Sequence, residues 1–197
     1  MWQRARISGG RRGVLTLVAG LAIALPLMWG GRAAGAAQLA LLSPDLAAGE
    51  AIALTQVYDR HGCRGGNVSP ALSWRDPPAG TRSFAVLMFD PDAPGGDWWH
   101  WAVFDIPATM RALQAGAGNP PRHLLPPGAI QVRNDFGSLG YGGPCPPPGP
   151  PHHYHLVLYA LGQPKLGLDM SASAVQVAAR VRALALAEAE IVSAYGR

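Results

Sequence analysis

Three short stretches of the chain concentrate side chains able to do chemistry. The first, Asp90-Pro91-Asp92-Ala93-Pro94, sets two carboxylates about a proline. Asp caps turns and Pro fixes φ, so the stretch also reads as plain turn chemistry. The second, Asp97-Trp98-Trp99-His100-Trp101, puts one imidazole among three indoles, a wall of flat apolar surface. The third, His152-His153-Tyr154-His155, carries three imidazoles and a phenol. Such groups donate and accept hydrogen bonds, and a charged imidazole adds positive potential. Joined by the backbone N–H groups of Gly142 and Gly143, they can hold a small anion such as a phosphate head group.

Other chemistries fit these residues less well. A zinc site needs three or four converging ligands. His153 and His155 supply two, and Asp90 or His100 would have to join from the wrong face, so no metal is expected. Neither G-x-G-x-x-G nor the G-x-x-x-x-G-K-S/T phosphate loop occurs, and no cofactor is expected. Covalent hydrolysis needs a nucleophile and a matched base. The chain has no G-x-S-x-G elbow, and Ser69, Ser73 and Ser138 sit in loop sequence without a signature. Cys145 is a nucleophile candidate, but the prolines after it favour a structural role.

The elements that must position these groups read mostly as strands. Phe84 to Phe89 is a continuous apolar run, too short for a helix and right for a buried strand. Trp98 to Ile106 and His155 to Leu161 read as two more strands, and Leu72-Ser73-Trp74 and Ala51-Ile52-Ala53-Leu54 as short ones. Strand parity places His152 and Tyr154 on one face, His153 and His155 on the other, and His100 opposite to Trp99 and Trp101. Thr109 to Gly118 suggests a helical turn, Asn119 to Gly128 is irregular, and Phe136 to Pro151 is a glycine- and proline-rich loop. Ser171 to Ala194 lacks Gly and Pro, is rich in Ala, and reads as helix, with Val175, Ala178, Ala179 and Arg182 at helical spacing. Strands first and helix last predict a mainly β fold rather than alternating β-α units.

Composition agrees with a folded domain. Of 197 residues, 49% are hydrophobic and 14% charged, which excludes intrinsic disorder. Gly 25 and Pro 19 without a period of three exclude collagen and suggest many turns. Residues 1–37 look like a signal peptide: Arg4, Arg6, Arg11 and Arg12, then an apolar stretch from Gly13 to Trp29, then Ala34-Gly35-Ala36. Arg11-Arg12-Gly13-Val14-Leu15 also loosely fits a twin-arginine signal, though a chance Arg pair fits too. A retained membrane helix is the competing reading, at the short limit for a span and broken by Pro26. After cleavage no stable membrane span is expected, and residues 38–197 form one domain. With five arginines removed, that domain carries 11 basic against 12 acidic residues, so no nucleic-acid footprint is expected. Cys63 and Cys145 both lie in the exported part, where two thiols commonly pair; two free buried thiols or a metal pair are the alternatives.

These residues resemble the phosphatidylethanolamine-binding protein family, in particular its bacterial Raf-kinase-inhibitor-like branch. The resemblance rests on Phe89 to Pro94, Trp99-His100-Trp101, Tyr141-Gly142-Gly143-Pro144-Cys145-Pro146-Pro147 and His152-His153-Tyr154. Gly65 to Trp74 and Asn134-Asp135-Phe136-Gly137 fit as well, so it runs from about Leu54 to Tyr195. It implies a large antiparallel sheet packed on a smaller one, helix near the C-terminus, and a pocket for phosphate or another small anion, including phosphoethanolamine. The ligand-binding residues it implies are Asp90, Asp92, Pro94, His100, Gly143, Pro144, His152 and Tyr154. It implies no general enzymatic activity, and it suggests an inhibitor or modulator of an unidentified partner protein.

The expectation is therefore a periplasmic or secreted anion-binding protein, not an enzyme. A hydrolase using the Asp/His pocket, or a protease-inhibitor-like module presenting Pro146 to Pro151, are the alternatives. An anion should favour charged His100 and His152, so that sulfate binding tightens from pH 8 to pH 6.

Overall fold

A computed structural model describes residues 38–197. The signal-peptide reading of residues 1–37 lies outside the described residues. The strands are β1 (Ala40–Leu42), β2 (Leu72–Arg75), β3 (Ser83–Asp90), β4 (Trp98–Pro107), β5 (Ala112–Leu113), β6 (Ile130–Gln131) and β7 (His152–Leu161). Helix α1 (Ala174–Leu184) follows, and β8 (Ala185–Tyr195) ends the series. All the strand pairs are antiparallel. They form a three-stranded sheet, β1-β2-β5, and a five-stranded sheet, β6-β4-β3-β7-β8. The fold is mainly β, as expected.

The larger sheet is buried on both faces, which explains the unbroken apolar run of β3. Phe84, Val86 and Met88 face Trp74, Leu72 and Leu113 of the smaller sheet, together with Trp101, Tyr154 and Leu156. Ala85 and Leu87 face the other way, into a core with Trp99, Phe104, Tyr159 and the helix residues Ala174, Val177, Ala178 and Val181. Helix α1 starts at Ser173 with a capping box: the Ser173 side chain accepts from the Gln176 N–H, and the Gln176 side chain accepts from the Ser173 N–H.

Four sequence expectations need correction. The predicted helix stops at Leu184, and Ala185–Tyr195 continues as a strand along β7. Its residues alternate half-buried and exposed up to Glu190, so pairing along a neighbouring strand overrides the weak strand preference of alanine. The helical stripe is Ala174, Val177, Ala178 and Val181, with Val175 exposed. The stretch Ala51 to Leu54 contributes one isolated parallel bridge, Ala51 to Ala194, rather than a strand. Thr109 to Gly118 holds turns and β5 in place of a helical turn.

The fourth correction concerns β4. Met88 pairs with Trp101 while Phe89 pairs with Trp99, so His100 is an extra residue in a β-bulge. Trp99 and Trp101 consequently point into opposite cores, not to the same face.

Candidate functional site

The C-terminal end of β3 lies between the starts of β4 and β7, since Phe89 pairs with both Trp99 and His155. Antiparallel pairing alone thus gathers the three chemically marked stretches at one end of the sheet's three inner strands. There they line a cavity of about 480 Å³. Asp90 comes from β3, Trp98 and His100 from β4, and His152 and Tyr154 from β7. The bulge turns His100 to the cavity side of the sheet, where its ring meets Tyr154 edge to face at 5.2 Å.

Two buried polar contacts organise the floor. His152 Nδ1 and Asp90 Oδ2 are 2.7 Å apart, with both side chains largely shielded, and Asp90 Oδ1 accepts the Asp92 N–H. His100 Nδ1 lies 2.6 Å from the Gly142 carbonyl oxygen. A carbonyl only accepts, so Nδ1 carries the proton and neutral His100 keeps its lone pair on Nε2. Burial pushes the His100 pKa below its ordinary value, against the raising effects of the Gly142 carbonyl and of Asp90. A readily charged His100 was expected from the sequence; its position opposes that charge. The Tyr154 hydroxyl is buried and finds no hydrogen-bond partner among the described residues. Burial and then the Asp90 carboxylate push its pKa up, so it stays a protonated donor.

Of the eight ligand-binding residues expected, Asp90, Pro94, His100, His152 and Tyr154 line the cavity. Asp92, Gly143 and Pro144 do not. Asp92 turns outward and accepts from both the backbone N–H and the ring Nδ1 of His153. His155 is likewise on the far face, bonded to Glu190. The anion cradle expected from Gly142 and Gly143 is absent because both N–H groups are already engaged. Gly142 donates to the His100 carbonyl and Gly143 to Asn67 Oδ1. Gly143 is needed for a different reason: a Cβ there would lie 2.0 Å from the Gln56 carbonyl oxygen. Pro144 belongs to the same contact, its carbonyl accepting the Tyr58 N–H.

The cavity wall includes residues that the sequence motifs did not mark as ligand-binding: His61, Trp98, Asp135, Phe136 and Pro146. Asp135 exchanges hydrogen bonds with the Trp99 backbone, and Phe136 stacks on Tyr58. The Asn134-Asp135-Phe136-Gly137 motif was the available signal, but its place at the rim depends on the loop's path. Cys63 and Cys145 form a disulfide spanning 82 positions, joining the loop of His61 to the loop of Pro146. Closing a loop of that length is worth about 4 kcal/mol in the chain-entropy account. Among the described residues no lysine or arginine lines the cavity, and no group of three His, Cys, Asp or Glu is placed to hold a metal. No helix among them is long and apolar enough to cross a membrane.

The chain is similar to several known proteins. The chain is 45% identical over 164 residues to the protein YbcL of Escherichia coli, covering 82% of this chain and 90% of that one. It superposes on the crystal structure of E. coli YbcL, described as a new member of the mammalian PEBP family. The TM-score is 0.80, with 82% of this chain and 99% of that one covered. E. coli YbhB is 41% identical over 79% of this chain and 98% of its own length. A Mycobacterium tuberculosis protein named as a lipoprotein, LppC, is 36% identical over 83% of this chain and 75% of that one. The family model described as phosphatidylethanolamine-binding protein matches residues 42–196, and with these relatives it shows that the chain belongs to that family.

Proposed function

We propose that this protein is an exported binding protein whose cavity takes a small ligand with a phosphate-type head group, and that it works by binding rather than by catalysis. The observation that carries this reading is the cavity of about 480 Å³ at the strand ends, on which His100, Tyr154 and the buried Asp90–His152 pair converge. Against a covalent hydrolase, Cys145 is tied in the disulfide, and no serine, threonine or lysine lines the cavity among the described residues. Export draws support from the disulfide, which persists in oxidising compartments, and from a relative named as a lipoprotein. A role in modulating a partner protein would use the run Pro147 to Pro151, exposed directly beside the cavity rim.

Calorimetry with phosphoethanolamine tests the reading. The wild type should bind, and His100→Ala should weaken binding by about tenfold, one hydrogen bond's worth. Equal affinity in the two proteins would show that the ligand sits elsewhere.

A further inference from the structure

No arginine or lysine is among the described residues of the strand-end cavity, whereas two arginines meet at a second one. That cavity, of about 280 Å³, is lined by Arg60 and Arg122, with Asp59, Asn67 and Ser138 beside them. Arg122 closes a single 3-10 turn, Pro120–Arg122. Its side chain lies across the backbone of Gly116: a Cβ there would meet Arg122 Cδ at 2.6 Å and Nη1 at 2.7 Å. Gly116 has φ +82°, a conformation that glycine adopts readily and other residues do not. Among the described residues no carboxylate pairs with Arg122. Arg60 has a weak partner: its Nε lies 3.8 Å from Asp59 Oδ1, and at 71% and 44% exposure both side chains keep their water. The neutral groups favour donors. Asn67 Oδ1 already accepts the Gly143 N–H, so Nδ2 is the end its amide can still offer. Asn67 sits at φ +48°, which a residue other than glycine keeps only where its surroundings fix it. Ser138 is fixed by Asn134 at both its N–H and its carbonyl, which leaves its hydroxyl for other bonds.

We propose that this second cavity is a site for a small doubly charged oxyanion, with Arg60 and Arg122 as its charge partners and Asn67 and Ser138 as neutral donors. A guanidinium presents several N–H groups in one plane and matches two oxygens of such an anion at once. One carboxylate against two guanidiniums leaves an excess of positive charge, in a domain that otherwise carries 11 basic against 12 acidic residues. A dianion carries more charge than Asp59 and displaces that carboxylate from Arg60; a singly charged ligand gains little by the exchange. The site is independent of the strand-end cavity and stands whether or not that cavity takes a phosphate-type ligand.

An NMR titration of the isotope-labelled protein with sodium sulfate decides the matter, with sodium chloride balancing the ionic strength so that general screening stays constant. Sulfate should produce saturable shifts at the amides of Arg60, Asn67, Arg122 and Ser138. Arg122→Gln should weaken this binding about tenfold, the worth of a hydrogen bond to a charged group. Arg122→Lys, which keeps the charge and loses the planar fork, should fall between that variant and the wild type. Arg180→Gln removes the same charge from an exposed position on α1 and should change the affinity by less than about twofold. Asp59→Asn should tighten sulfate about threefold, because it removes the competing carboxylate. His100→Ala should leave the sulfate shifts at Arg60 and Arg122 as they are, which separates this site from the strand-end cavity. Shifts that do not saturate, equal weakening by Arg180→Gln and Arg122→Gln, or shifts that vanish in His100→Ala would each overturn the inference.

Discussion

Two Asp–His pairs join the same two stretches of chain, one residue step apart on β7. Asp90 with His152 measures 2.7 Å and Asp92 with His153 measures 2.8 Å. Distance therefore does not separate them; solvent does. The side chains of the inner pair are 5% and 13% exposed, those of the outer pair 45% and 60%. A buried pair loses its hydration and becomes costly to break, because either partner alone is a stranded polar group. An exposed pair keeps its water and contributes little. The alternation of strand side chains turns adjacent histidines to opposite faces, so one repeat of Asp and His serves both a cavity floor and a surface clip.

The sharpest break of this comparison is Asp90→Ala against Asp92→Ala. Chemical denaturation should show a loss of about 3–5 kcal/mol for the first, as for other buried pairs cut on one side. The second should cost less than about 1 kcal/mol. Similar losses would mean that burial is not what distinguishes the pairs.

A smaller effect belongs to His100, the other buried imidazole of the floor. Its folded pKa lies below the ordinary value of 6.5, so an unfolded chain takes up a proton that the folded chain refuses. Stability from this group is complete above that value and declines as pH falls beneath it. Without ligand, wild-type stability should drop more steeply between pH 7 and pH 5 than that of His100→Gln. Parallel profiles would contradict the burial account.

The smallest effect is at Asp92, whose pKa is lowered first by the His153 side chain and then by the His153 backbone N–H. Its contribution is present above the ordinary 3.8 and lost as pH falls through the folded value. Comparing wild type with Asp92→Asn between pH 5 and pH 3 should show a difference under about 0.5 kcal/mol. Strong salt should shrink it further, since exposed charges are screened. A larger, salt-resistant difference would place this pair in the same class as the inner one.

The faces of β7 are legible in the sequence, because His152 to Leu161 is a regular strand and period two holds along it. The central strands β3 and β4 are legible for a related reason: strongly apolar runs bounded by polar turns have few other solutions. The cysteine pairing is legible from there being two cysteines, both in the part of the sequence read as exported. What escapes local pattern is set by neighbours. Ala185 to Tyr195 contains good helix formers and becomes strand because β7 lies alongside. Phe136 and His61 reach the rim through loop paths that no local pattern encodes, and Gly143 signals a close approach of two backbones rather than a ligand cradle.

An added residue in a strand ordinarily reverses every side chain beyond it. In β4 the bulge confines that reversal to the short segment Trp98–Trp99, while Trp101 and Val103 keep their partners Met88 and Val86. The first residues of the strand thus run in a phase of their own, serving the rim, apart from the segment Trp101 to Val103 that serves the interior. The rim can be re-phased without disturbing the interior, so a binding surface can diverge in this architecture while the sheet that carries it stays the same.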